Sequence, residues 1–284
     1  MSQPEQMDVL LAAKPGGVSP DALRRAVQMA AASGGKVRAL VVIEHPSEAA
    51  EAEAEAGRIA KAFSQREPAG RAWDVEVARG EPWRVILKAA DSSDCGLIVM
   101  GPRERKDLAS HLIGATGERV IHRARQPVLT VRRPAEAPYR TVVAATDFSN
   151  GSRHALIDAS RWLDGTVITL LHAYRVPYEA FISRAANTVE VRQAAEQDRD
   201  RFLSLGDWPA GLRERLTCEL VYGTPLEVLT ERAREGRADL VVAGAYGRTG
   251  PFEKLLGGTA EQLLRELDAD LLIAAQSEAN RPGA

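Results

Sequence analysis

The residues best suited to chemistry in this chain are Gly244-Ala245-Tyr246-Gly247-Arg248-Thr249-Gly250, followed by Gly257-Gly258-Thr259-Ala260-Glu261. An apolar β-type run ends at Gly244, glycines follow, and a helical pattern opens near Gly258. Glycine lets the main chain come close to an anion, and a helix N-terminus offers unpaired N–H groups with positive dipole character. The chemistry implied is the cradling of phosphates rather than bond-making. Arg248 can reach a phosphate, although a loop arginine is more often solvated. Glycines alone are a weak signal, because every turn needs them.

Other chemistries find little support. The chain has no GxxxxGK[ST] loop, no histidine pair at i, i+4 and no motif flanking a Ser-His-Asp set. Cys95 and Cys218 stand alone, without zinc-type spacing, which favours a reduced cytoplasmic setting and no structural metal. His172 ends an apolar run and reads as a satisfied, partly buried histidine; His154 reads as exposed on a helix. Trp83, Trp162 and Trp208 read as packing residues, and Arg123, Arg125, Arg132 and Arg133 as solvated surface.

The 284 residues suggest two domains, and the composition is 45% hydrophobic and 27% charged, ordinary for a globular protein. Split at residue 134, the first part holds 20 Lys/Arg against 17 Asp/Glu and the second 17 against 22. Neither imbalance suggests nucleic acid or an anionic membrane as partner. No apolar run is long enough to span a bilayer, and the first residues lack a signal-peptide pattern.

The elements that must position the glycine loop occur twice. Val9–Ala13 matches Val142–Thr146 at an offset of 133, with Ser19 and Leu23 falling on Ser152 and Leu156. Gly80-Glu81-Pro82 then falls on Gly223-Thr224-Pro225, Leu97–Gly101 on Leu240–Gly244, and Leu112–Ile121 on Leu255–Leu264, all at 143. Chance would not hold one offset through three ordered blocks. The copies span 1–134 and 138–284, joined by the polar, proline-punctuated stretch Arg132–Pro138. Each alternates short apolar runs with helical patterns, the mark of βαβ units on a parallel sheet. The first copy reads as strands over 7–13, 36–43, 73–78, 96–100 and 127–132, with helices over 19–33, 50–66, 82–92 and 115–124. The second reads as strands over 140–145, 167–173, 216–221, 239–244 and 271–275. Its helices fall at 151–163 and 187–205, from Pro225, and at 258–267. The acidic run Glu48–Glu55, alternating with alanine, reads as a solvated helix face.

The spacing G-x2-G-x9-G, the opening Ala145-Thr146-Asp147-Phe148-Ser149, the run Leu170-Leu171-His172-Ala173 and Ala238–Gly244 together resemble the universal stress protein family. The resemblance covers both copies and is similar to tandem-domain members. It implies an α/β, Rossmann-like five-stranded parallel sheet flanked by helices in each copy, the two copies paired through their last strands as an intramolecular pseudo-dimer. It implies ATP held between the first-strand turn and the glycine loop, with Mg²⁺ an optional companion. Asp147, with Ala145 and Thr146, would meet the adenosine end, and Ala173 the adenine through its main chain. Gly244, Gly247 and Gly257 would line the ribose and phosphates, with Gly258 and Thr259 at the helix start. The family's nucleotide binders usually carry Ser or Thr where this chain has Gly258, so one phosphate donor is missing.

The first copy departs further. Lys14 stands for Asp147, Glu104 for Gly247 and Ala115 for Gly258, while Gly101, Gly114 and Thr116 remain. The expectation is that this copy does not hold ATP in the family manner and that Lys14 and Glu104 approach one another across the pocket. The favoured function is a non-catalytic, cytoplasmic, ATP-binding stress-response module that acts on a protein partner, with a homodimer of whole chains left open. The alternative is a nucleotide-independent partner-binding scaffold. An ATP-using enzyme would need an activating group that the sequence lacks.

Overall fold

The computed structural model describes residues 6–66, 73–91, 94–101, 114–175, 184–245 and 256–274, with the side chains of 184–188 outside the description. The chain divides into two compact units, Met1–Pro138 and Tyr139–Ala284.

In the first unit the elements run β1 (Asp8–Ala13), α1 (Pro20–Ser33), β2 (Val37–Ile43), α2 (Ala49–Arg66), β3 (Trp73–Arg79), α3 (Pro82–Asp91), β4 (Cys95–Met100), α4 (Ala115–Arg123) and β5 (Val128–Thr130). The strands lie in the order β3-β2-β1-β4-β5, with every pairing parallel. The second unit runs β6 (Val142–Ala145), α5 (Asn150–Ser160), β7 (Ile168–Tyr174), α6 (Arg184–Leu203), β8 (Leu216–Tyr222), α7 (Pro225–Arg234), β9 (Leu240–Gly244), α8 (Gly258–Glu266) and β10 (Asp270–Ala274). Its order is β8-β7-β6-β9-β10, again parallel throughout. The repeat read from sequence is therefore a repeat of topology. Both units have the five-stranded, helix-flanked sheet that alternating apolar and helical patterns predict.

Local chemistry explains the element starts. Ser19 caps α1 by accepting from Ala22 N–H, and Ser149 caps α5 by accepting from Ser152 N–H. Thr224 and Glu227 exchange hydrogen bonds in a capping box at α7, and Pro225 fills its first turn. The glycine before that helix is obligatory in both units. Gly80 has φ 139° and Gly223 φ 146°, and a Cβ on Gly223 would come within 2.9 Å of Val228 Cγ2.

The central strands are buried: Val9 and Leu11 in β1, Leu97–Val99 in β4, Leu240 and Val241 in β9 and Leu271 in β10 are at most 0% exposed. Strands buried on both faces read as continuous apolar runs, which is why these segments stood out. Trp162, at 2% exposure, belongs to the same kind of core.

Three expectations are corrected. The stretch read as a linker is packed on the first unit: Arg25 and Gln28 of α1 donate to the carbonyls of Ala137 and Ala135, and Asp21 accepts from Ala135 N–H. Glu55, assigned to a solvated face, is buried, accepts from Val18 N–H at 2.9 Å and pairs with Arg58. Arg132 is buried rather than solvated. Each misreading has the same origin, since sequence pattern ranks polar side chains as exposed while a satisfied partner lets them go inside.

Candidate functional site

In each unit, the carboxyl ends of the first and fourth strands and the N-terminus of the last helix enclose a cavity. This is the place where open parallel α/β sheets take ligands. In the second unit it measures about 290 Å³, near the lower end of the roughly 300–1,000 Å³ typical of small-molecule sites.

Of the residues singled out from sequence, Ala145, Thr146, Asp147, Ala173, Gly244, Gly257, Gly258 and Thr259 all line this one cavity. Gly247 and Arg248 lie outside the described residues. Sequence reasoning missed Ser152, Leu171, Pro225, Leu229, Ala243 and Ala260, which complete the lining. Ser152 carried a signal, the Ser149-x2-Ser152 capping spacing; Leu229 falls one helical turn past Pro225.

The wall after β6 is a tightly bonded turn. Thr146 N–H donates to Leu171 carbonyl at 3.0 Å, and its Oγ1 lies 2.9 Å from Ser152 Oγ. The same Oγ1 accepts from Phe148 N–H at 2.9 Å, while Asp147 Oδ1 accepts from Ser149 N–H at 3.0 Å. Phe148 has φ 59°, the only positive φ of a non-glycine residue among those described. For a bulky side chain that backbone is an outlier and needs support from its surroundings. His172 Nδ1 lies 2.8 Å from Thr146 carbonyl, which bears out the reading of a satisfied, half-buried histidine.

The opposite wall is built to leave donors open. Gly257, the N-cap of α8, donates its own N–H to Ala245 carbonyl at 2.8 Å and has no side chain to satisfy the first turn. The first N–H groups of a helix have no acceptor within it, so Gly258, Thr259 and Ala260, which line the cavity, form an anion-accepting end. Among the described residues, a Cβ built on Gly258 would meet nothing within 4 Å.

The first unit's cavity, about 510 Å³, is lined by the equivalent positions. Lys14 is at the place of Asp147, Ala115 at that of Gly258, and Gly101, Gly114 and Thr116 persist. Acidic Glu44 and Glu48 stand on its rim. Glu48 accepts from the N–H groups of His45 and Glu44, which hold its carboxyl below the ordinary range. The expected approach of Lys14 to Glu104 lies outside the described residues. Among the described residues no cluster of three His, Cys, Asp or Glu could hold a metal, and no helix is long and apolar enough to cross a membrane.

Two parallel α/β units, each with a cavity at the carboxyl ends of its strands, define a tandem protein of the Rossmann-like class. The profile of the universal stress protein family matches residues 7–132 and again 138–275, and the chain belongs to that family. Among curated relatives, universal stress protein E of Escherichia coli K12 is 25% identical over 221 residues, 72% of this chain and 69% of its own. A universal stress protein E homolog of Haemophilus influenzae is 26% identical over 200 residues, 66% of this chain, and the match spans only 64% of that relative's length. The fold recurs in a universal stress protein of Archaeoglobus fulgidus, at TM-score 0.65 and 19% identity over 97% of this chain and 98% of that one. A functionally unknown protein of Pseudomonas aeruginosa overlays at TM-score 0.69, also 19% identical, over 97% and 95% of the two chains.

Proposed function

We propose that this chain is a non-catalytic regulatory protein of the stress response that acts in the cytoplasm and binds one ATP, in the cavity of its second unit. The supporting observation is the pairing of Asp147 and Thr146 on one wall with the glycine-capped α8 N-terminus on the other. Such a cavity offers hydrogen-bonding groups for a nucleoside at one end and open N–H donors for phosphates at the other. Mg²⁺, where present, rides on the phosphates. Among the described lining residues the one carboxylate, Asp147, stands on the wall opposite the α8 N-terminus, and no histidine, cysteine or lysine is present. In this reading occupancy rather than turnover is the signal, read by a protein partner.

A second reading is a scaffold that needs no nucleotide. It draws on Gly258, which has no hydroxyl for phosphate, and on Lys14, which replaces the acid in the first cavity.

Photolabelling with 8-azido-ATP followed by peptide mapping separates the two. Label confined to peptides of the second unit, and competed by ATP, fits the nucleotide reading. Absence of competed label favours the scaffold.

A further inference from the structure

Phe148 separates the cavity from a cluster of aromatic side chains that the nucleotide site itself does not use. Its N–H donates to Thr146 Oγ1 and it follows Asp147 in the chain, and both of those residues line the cavity. Phe148 is not itself among the lining residues, and its side chain is buried. The ring lies 4.7 Å from that of His172 and 5.5 Å from that of Phe202, near the end of α6. Phe202 in turn meets Trp208 edge-on at 5.4 Å. The guanidinium of Arg153 lies 4.7 Å over the Trp208 ring and donates to the carbonyl and carboxylate of Asp207. Arg153 follows Ser152, which lines the cavity, so the cluster meets the site at two points.

We infer that Phe148 is a positioning residue for the second cavity, and that through Phe202 it ties the Thr146–Asp147 wall to Trp208. Three observations carry this. The left-handed backbone at Phe148 is unfavourable for a phenylalanine, so it persists because the ring is held between His172 and Phe202. The Phe148 N–H donates to Thr146 Oγ1 and the next N–H, of Ser149, donates to Asp147 Oδ1, so the turn at Phe148 bonds both lining side chains. The first unit, where Lys14 replaces Asp147, has Pro15 at the place of Phe148 and Val41 at the strand position of His172. The aromatic tie thus accompanies the cavity that keeps its acid. A ligand that pulls on Thr146 or Asp147 acts on a turn whose conformation is fixed by aromatic packing, and the packing must adjust with it.

The coupling rests on the nucleotide reading of the same cavity, so binding and response are measured separately. Calorimetry follows ATP binding to the full chain, and tryptophan emission, compared with a Trp208→Phe variant, follows the cluster. ATP is expected to change emission in the wild type and not in Trp208→Phe, with equal affinity in both. Phe202→Leu is expected to weaken ATP binding less than Phe148→Leu does and to lose most of the emission change. Phe148→Leu should lower affinity roughly tenfold, and Phe148→Tyr should restore both affinity and response. ATP binding with no Trp208 response, or a full response in Phe202→Leu, overturns the coupling and leaves the nucleotide reading standing. Affinity unchanged in Phe148→Leu overturns the positioning role. No ATP binding at all removes the nucleotide reading and this coupling with it.

Discussion

Lys14 and Asp147 stand at the same point of their respective cavities, each just beyond the first strand of its unit and each on the lining. One cavity therefore carries a cation where the other carries an acid. Hydrogen-bond acceptance from a ligand's hydroxyl or amino groups is open to Asp147 and closed to a protonated lysine. Replacing Asp147 by Lys should weaken ATP binding by about tenfold or more, roughly 1.4 kcal/mol, measured by titration of the purified variant.

Gly258 leaves room for the hydroxyl that the family's nucleotide binders usually have. Among the described residues its Cβ would touch nothing within 4 Å, so Gly258→Ser adds a donor at the start of α8 without a clash there. One added hydrogen bond to a phosphate is worth about 1 kcal/mol, so affinity should rise roughly fivefold. A lower affinity would mean that the phosphates do not approach α8.

Asp158 on α5 is held above its ordinary 3.8 by burial, which outweighs the opposing charges of Arg161 and His154. The folded state then binds the proton more tightly than the unfolded chain. The associated stability is fully present below pH 3.8 and is lost as the pH rises through the folded-state value. Asp158→Asn should therefore melt higher than the wild type at pH 7, with the difference shrinking toward pH 4. Melting curves across that range check the sign.

Cys95 and Cys218 are both pushed up to about 11, chiefly by burial. At pH 8 neither is a thiolate to any useful extent, and the thiolate is the reactive form. Ellman's reagent should react slowly with the native protein and release two equivalents rapidly in denaturant.

Tyr139 donates to the buried Asp270 carboxylate at 2.6 Å, a contact across 131 residues of the second unit. Tyr139→Phe removes a buried hydrogen bond and should cost about 1–3 kcal/mol in urea unfolding of that unit. No periodic pattern announces such a pair.

Much of the architecture was legible because most strands are short apolar runs and several helix starts carry a capping signal, as at Ser19, Ser149 and Thr224. The end of β5 at Thr130 rather than 132 is a boundary effect. The cavity lining was legible where motif residues fall at a strand end or a helix start, as at Gly244, Gly257 and Asp147. It was not legible where a contact joins distant elements. Glu55 reaches Val18 from another helix, and the left-handed turn at Phe148 depends on Phe202, 54 residues on. A phenylalanine is a poor sequence marker for positive φ, so nothing in Asp147-Phe148-Ser149 predicts that turn.

Calorimetric titration of ATP into the nucleotide-stripped chain, beside an Asp147→Ala variant, tests the central claim most directly. One site per chain, weakened roughly tenfold or more in the variant, is the predicted result. A site of unchanged affinity in Asp147→Ala, two equal sites, or no heat and no nucleotide released from the protein as purified would each contradict it.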